Sequence, residues 1–380
     1  MTLLRFLIML LVFLALNMYL FIRGWQAIPD RKAIHTIYSV IFVFSSLSIF
    51  VAIFAGRLLP AWMGFVFEHV GGYWMILFVY MIAFTLLGDL LRILNHFFHL
   101  FPAAVSANMP MTRLLYFFGV LGALVLLSLI GFFRFSHPRL KELSIHTNRV
   151  TNRPGELTLV MASDLHLGNV IRRGRLAKWV NQINSQNPDI IILNGDVFDH
   201  SFVAVESQNM DVELQKLHAK QGVYAVPGNH DYYTGIDKVI AYLRKSGIKV
   251  LRDSVVVVNN SLLIIGRDDL TNRNRKSLVS LLEGQDAGFP RLVLDHQPHG
   301  LDESVNNQVD LHLSGHTHNG QIFPFNHMVS RIYELGYGYR KTGNTHQFVS
   351  SGIGLWAAPI RLGTQSEIVK IHFRSGIVKK

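Results

Sequence analysis

Seven side chains in five short blocks are of the types that hold hard or borderline metal ions. Asp164-Leu165-His166, Gly195-Asp196, Gly228-Asn229-His230-Asp231, Asp295-His296 and Gly315-His316-Thr317-His318 each lie at the end of an apolar run. A lone His-x-His pair carries little weight in a chain with 18 histidines. Four further blocks in series give it weight. Aspartate, asparagine and histidine supply oxygen and imidazole donors, a set suited to Mn²⁺, Fe, Mg²⁺ or Zn²⁺. Asp164 and His166 fall on one side of an extended segment, and Asp196 has two carboxylate oxygens with which to bridge two ions. Two ions about 3.5 to 4 Å apart would activate a water near neutral pH and clamp a phosphoryl group for in-line attack. His230 would then donate a proton to the leaving oxygen, oriented by the Asp231 carboxylate.

Such groups converge only if their loops do. Residues 157–162, 189–193 and 223–226 read as buried strands, and 249–251 as extended. Residues 171–185, 212–217 and 236–244 have helical spacing. Strand and helix alternating at this pitch imply βαβ units and a largely parallel sheet. Later runs at 255–258, 262–265, 292–294, 309–313, 348–349 and 367–373 extend the strands into a second sheet, with a helical stretch at 276–282. In an α/β sheet the loops at strand C-termini meet in the crevice where ligands bind. Asp164, Asp196, Asn229, His296 and the His316/His318 loop all sit just past such runs.

In the order and spacing of its blocks, this sequence resembles the calcineurin-like metallophosphoesterases over about residues 157–318. The resemblance implies a four-layer α/β sandwich of two mixed sheets flanked by helices. It further implies one metal on Asp164, His166, Asp196 and His318, and a second on Asp196, Asn229, His296 and His316. His230 would be the general acid with Asp231 behind it. The tail Ser350-Ser351-Gly352-Ile353-Gly354, with Pro359-Ile360-Arg361-Leu362-Gly363-Thr364 and Glu367, is similar to the membrane-anchored bacterial branch of that family. That branch usually carries glycine where this chain has Asn319. Asp199 and Asp295 flank ligand positions as partners for them, and Arg361 is a candidate phosphate contact. His200, His218, His299, His312, His327 and His346 are assigned structural roles.

The first third has a different composition. Up to residue 133 it holds seven Lys or Arg and three acids, which leaves 36 − 7 = 29 basic and 25 − 3 = 22 acidic residues for the remainder. About 20 apolar residues cross a ~30 Å hydrocarbon layer, so four spans are expected at about 6–22, 36–56, 69–88 and 114–133, within a membrane region 1–135. The first is read as a retained span, since no small-x-small cleavage site follows it. Residues 93–112, with Asn95, His96, His99 and two prolines, are expected as a loop or interfacial segment. Asp89, Glu68, His96 and His99 are assigned to interfacial solvation near helix ends. A linker at 136–155, with turn chemistry at 152–155, leads to the catalytic domain at 156–380. Lys and Arg near the spans divide six against five, which tips the domain to the cytoplasmic side.

No cysteine is present, which excludes disulfides, thiolate nucleophiles and Cys-based zinc sites. The net charge of +11 is spread thinly, and that fits a face beside anionic lipid better than a nucleic-acid partner. The expected protein is a multi-pass membrane phosphohydrolase with two divalent ions, membrane lipid as partner, and a phosphoric ester or anhydride, including a lipid-linked one, as substrate. Two readings stay open beside it. A nuclease or cyclic-nucleotide phosphodiesterase would show a continuous aromatic and basic groove, and a non-catalytic membrane scaffold would bind no metal. Oligomeric state is not legible.

Overall fold

The computed structural model describes residues 3–55, 58–150 and 156–376. The turn expected at 152–155, residue 56 at the end of the second expected span, and residues 377–380 lie outside the described residues. The chain divides into two units, Met1–Ile130 and Gly131–Lys380.

The first unit holds α1 (Leu3–Trp25), α2 (Lys32–Ala55), α3 (Ala61–Phe98), α4 (Ala103–Ala107) and most of α5 (Met109–Ser136). Of these, α1, α2, α3 and α5 are long and apolar enough to cross a membrane. The third helix differs from expectation. It has 38 residues, about 57 Å at 1.5 Å per residue, and takes in residues 93–98, which were expected to be loop. No glycine or proline stands between Gly88 and Pro102, so nothing local stops the helix at 88. His99 ends it in a left-handed conformation, and Asn95 Oδ1 accepts from the Phe101 amide at 2.6 Å. Asp89 is satisfied between α1 and α3, by Arg23 at 2.8 Å and the Tyr19 hydroxyl at 2.6 Å.

The second unit begins with the last turns of α5. Its first half is β1 (Arg139–Val150), β2 (Glu156–Ala162), α6 (Arg173–Asn184), β3 (Ile190–Asn194), α7 (Phe202–Glu206), α8 (Met210–Leu214), β4 (Val223–Val226), α9 (Asn229–Thr234), α10 (Ile236–Lys245) and β5 (Lys249–Val250). The second half is β6 (Ser254–Val258), β7 (Leu262–Gly266), α11 (Leu278–Leu282), β8 (Arg291–Leu294), α12 (Leu301–Asn306), β9 (Leu311–Ser314), α13 (Phe325–Ile332), β10 (Gly338–Thr342), β11 (Thr345–Val349) and β12 (Glu367–Gly376). One sheet has the order β1-β12-β2-β3-β4-β5 and the other β10-β11-β9-β8-β7-β6. Both are mixed. Strands β2 to β5 are parallel, with β12 antiparallel to β2; β7, β8, β9 and β11 are parallel, with β6 and β10 antiparallel at the edges.

Alternation along each strand builds the layers. Leu159 and Met161 of β2, with Ile190 and Ile192 of β3, face a core shared with Leu262, Ile264, Leu292, Leu294, Leu311 and Leu313 of the other sheet. Their neighbours Val160, Ala162, Ile191 and Leu193 turn the opposite way, onto Leu176, Trp179 and Val180 of α6 and Val239 and Leu243 of α10. On the far side Leu263, Ile265 and Val293 pack against Leu278 and Leu281 of α11. The result is helix, sheet, sheet, helix: two mixed sheets flanked by helices.

The stretch 136–155, expected as a linker, is corrected by β1. It pairs in parallel with β12 from Arg139 opposite Glu367 to His146 opposite Arg374. Glu142, Ser144 and His146 face solvent while Ile145 and Thr147 are buried. That is the period-2 pattern of an edge strand with one wet face.

Candidate metal centre

Every candidate ligand leaves the C-terminal end of a parallel strand. Asp164 and His166 follow β2, Asp196 follows β3, Asn229 opens α9 after β4, His296 follows β8, and His316 and His318 follow β9. Five of the seven, Asp164, His166, Asp196, His316 and His318, have φ between 48° and 71°. This left-handed region costs a non-glycine residue about 1–2 kcal/mol, and it bends each chain abruptly out of its strand so that the side chain turns inward. Glycines let the loops close in. A Cβ on Gly228 would lie 2.2 Å from Asp196 Oδ1, and one on Gly315 2.5 Å from Asp164 Oδ2.

The side chains gather in two adjoining groups. Asp164, His166 and His318 offer ligand atoms within 4.8 Å of one another, and so do Asp196, His296 and His316. His166 Nε2 is 3.1 Å from His318 Nε2, and His318 Nε2 is 3.5 Å from Asp164 Oδ1. Asp196 joins the groups. Its Oδ1 accepts from the His230 amide at 2.8 Å, while Oδ2 lies 3.0 Å from His296 Nε2 and 3.7 Å from His166 Nε2. Backbone contacts orient the ligands. His296 Nδ1 sits 2.9 Å from the Asn194 carbonyl, which leaves Nε2 to the centre, and the His316 amide donates to Asp164 Oδ1 at 2.9 Å.

These residues fit a bound cation. Asp164 Oδ2, Asn229 Oδ1 and His296 Nε2 are buried and have no hydrogen-bond partner of proper geometry. Buried polar atoms left without partners and converging from three loops are costly unless a cation meets them. Burial pushes Asp164 above the usual carboxylate range. It also acts to raise Asp196, but His296 and His166 outweigh it and hold Asp196 well below that range, while Asp196 raises His296 against its own burial. Burial pushes His316 down to about 4 and His318 well below the histidine value, so both are neutral imidazoles able to bind metal.

Around His230 the structure corrects the expected pairing. Asp231 does not orient it. The Asp231 carboxylate is buried and accepts from the amides of Gly228 at 2.9 Å, Phe198 at 3.0 Å and Val197 at 3.4 Å, tying α9 to the loop after β3. Helical geometry sends side chains at consecutive positions in different directions, so a neighbour in sequence is not a partner in space. Asp199 is the partner. Its Oδ1 lies 3.1 Å from His230 Nδ1 and 3.7 Å from His166 Nδ1. Burial acts to lower His230, but the Asp199 hydrogen bond and the Asp196 charge override it and raise the imidazole above its ordinary value.

Other expectations are redistributed. Arg361 does not reach out to phosphate. It is fully buried, and its Nη2 donates to the carbonyls of Ser351 at 2.7 Å, Gly352 at 3.1 Å and Gly354 at 2.5 Å, beside His318. Asp295 faces Arg275 and Arg267 instead of a ligand. His200, assigned a structural role, stands at the site: its ring lies 4.8 Å from that of His230, and its Nε2 is 3.7 Å from Asp199. The Asp196-x-x-Asp199-His200 spacing just past a strand was the signal for both. His312, between Ser304 and Ser314, and His346, on the Tyr339 hydroxyl, do have structural partners.

The chain is similar to known proteins over this region. The profile of the calcineurin-like phosphoesterase family matches residues 157–320. An uncharacterized metallophosphoesterase of Helicobacter pylori J99 is 31% identical over 260 residues, 65% of this chain and 68% of its own. One from Aquifex aeolicus is 32% identical over 246 residues, 62% of this chain and 92% of its own. A transmembrane protein with metallophosphoesterase domain from Danio rerio is 27% identical over 332 residues, 82% of this chain and 74% of its own. Among solved structures, a 5'-nucleotidase precursor from Thermus thermophilus aligns at TM-score 0.36 and 19% identity, over 57% of this chain and 55% of that one.

Proposed function

We propose, from the premise that this chain belongs to the calcineurin-like metallophosphoesterases and is a phosphoester hydrolase, that it is a membrane-bound enzyme cleaving phosphodiesters or lipid-linked phosphates and diphosphates. The observation that carries the two-ion reading is Asp196, whose Oδ2 stands between His296 of one ligand group and His166 of the other. Asp164, His166, Asp196 and His318 would hold one ion, and Asp196, Asn229, His296 and His316 the other. When bound, such ions supply Lewis-acid polarisation of the phosphoryl oxygen and a water deprotonated near neutral pH. The mixed oxygen and imidazole donor set suits Mn²⁺, Fe, Zn²⁺ or Mg²⁺, and Mn²⁺ is the ion we propose to supply first.

The remaining work falls to the protein. His230 keeps Nδ1 on Asp199, which holds its proton to higher pH than an ordinary histidine would, and has Nε2 left to protonate the leaving oxygen. Asp231 acts on position, by fixing the backbone that carries Asn229 and His230. The spans, and the transmembrane relatives, support a substrate met at a membrane.

The test is hydrolysis of bis-p-nitrophenyl phosphate and p-nitrophenyl phosphate by the purified full chain, with Mn²⁺ and with chelator. Metal-dependent turnover favouring the diester is the expected result. Turnover that persists in chelator would refute the two-ion reading, and preference for the monoester would refute the diester assignment.

A further inference from the structure

Four loops on the end of the sheets that carries the metal centre expose large apolar side chains. Val203 after β3 is 68% exposed, Tyr233 after β4 52%, and Leu270 after β7 44%; after β9 come Phe323 at 52%, Met328 at 54% and Ile332 at 65%. Such residues scattered singly need no explanation, whereas several on loops at one end of the sheets point to an interaction site. The last two lie on α13, an eight-residue helix with no buried residue, which also exposes Arg331. Its sequence Phe-Asn-His-Met-Val-Ser-Arg-Ile is that of a short amphipathic helix with a cationic polar side.

This helix is attached to the metal loop at both ends. At its start a Cβ on Gly320 would lie 2.4 Å from the Asn326 amide, so the turn after His318 packs directly on the first residues of α13. At its end the Tyr333 ring stands 6.2 Å from that of His316, and the Thr317 hydroxyl donates to the Gly336 carbonyl at 2.6 Å. Whatever α13 rests on is therefore brought to the ligand loop. The chain itself indicates what that is. Only His137 and Pro138 separate α5, an apolar helix of spanning length, from β1 of the catalytic domain. A domain on so short a tether never leaves the membrane surface.

We propose that α13 and this apolar rim seat on the bilayer, and that the enzyme takes an amphiphilic phosphoester whose acyl chains stay in the lipid. The substrate class rests on the phosphohydrolase reading above; the seating does not, and is measured separately. Because the chain has no cysteine, Met328→Cys carries a single thiol for an environment-sensitive fluorophore. Val279→Cys serves as control: Val279 is 61% exposed but groups with Arg291 and Gln308 at the opposite ends of β8 and β9. The full chain is reconstituted in vesicles of phosphatidylethanolamine and phosphatidylglycerol containing a spin-labelled lipid. The expected result is blue-shifted, lipid-quenched emission at 328 and water-like, unquenched emission at 279. Water-like emission at 328 overturns the proposal, and so does a blue shift without lipid quenching, which would mean protein covers the helix.

The second arm is activity. The double variant Met328→Asp, Ile332→Asp should hydrolyse bis-p-nitrophenyl phosphate at the unmodified rate, while its turnover of a long-chain phosphoester in vesicles falls about tenfold or more. Equal rates on the vesicle substrate would remove the substrate claim. Should the unmodified chain cleave neither compound, the hydrolase reading fails while the quenching result still decides the seating.

Discussion

At Asp199 one carboxylate oxygen serves His230 and lies near His166 and His200, so on the proposed mechanism its loss should be felt first in proton delivery. Removing a general acid costs about 10² to 10⁴ in rate. His230→Ala should fall by that amount on an alkyl leaving group and much less on p-nitrophenolate, which needs no proton. The pH profile gives the sign. His230 is raised above the ordinary histidine value, so the acid is fully charged below that raised value and is lost as pH climbs through it. Asp199→Asn should therefore shift the alkaline limb of kcat to lower pH and leave metal content unchanged. An unmoved limb would exclude His230 as the proton donor. Asp231→Asn should instead destabilise the fold, since its carboxylate is fixed by three backbone amides. That division was not legible in Asn-His-Asp as a string, because adjacency in sequence says nothing of which way a helix aims each side chain. The candidate ligands were legible as a set because each block is local, an apolar strand followed within two or three residues by a donor.

Among the elements, those read correctly had buried, uniformly apolar cores: β3 is wholly buried and carries Ile190 to Leu193. Strand β1 was missed because Arg139-Leu-Lys-Glu-Leu-Ser-Ile-His-Thr-Asn-Arg-Val has the composition of a loop, and only the alternation at Ile145 and Thr147 betrays it. A fragment beginning at 153 lacks this strand and leaves the edge of β12 bare, so it should melt lower than one beginning at 139 and aggregate on warming. In the core between the sheets, Ile192→Ala should cost about 2–5 kcal/mol, read as a lowered denaturation midpoint with little change in slope. Helices α6 and α8 are joined by Glu213, which takes Lys216 at 2.7 Å and Arg173 at 2.9 Å. Those hydrogen bonds hold Glu213 below the usual carboxylate range. Its contribution is complete above the unfolded value and is lost as pH falls through the depressed one. Glu213→Gln should thus lower Tm at neutral pH and converge with the unmodified protein in acid.

For the whole molecule, any ion that binds the folded centre and not the unfolded chain adds stability by mass action, about 2.7 kcal/mol at a hundredfold excess over Kd. Chelation should lower Tm reversibly in the unmodified protein and have little effect in Asp196→Ala. The balance of Lys and Arg around the spans expects the catalytic domain in the cytoplasm. A thiol placed at Ser280, which is exposed on α11, should then resist a membrane-impermeant maleimide in intact cells and react after lysis. Labelling without lysis would reverse the topology.

The left-handed turns at Asp164, His166, Asp196, His316 and His318 set turnover and heat resistance against each other. Each position would be more comfortable as glycine, or as asparagine, than as the residue it holds. A population propagated for survival at high temperature with no demand for hydrolysis should drift at these five codons first, towards glycine and asparagine. The outcome would be a lineage of tougher proteins that no longer cleave anything.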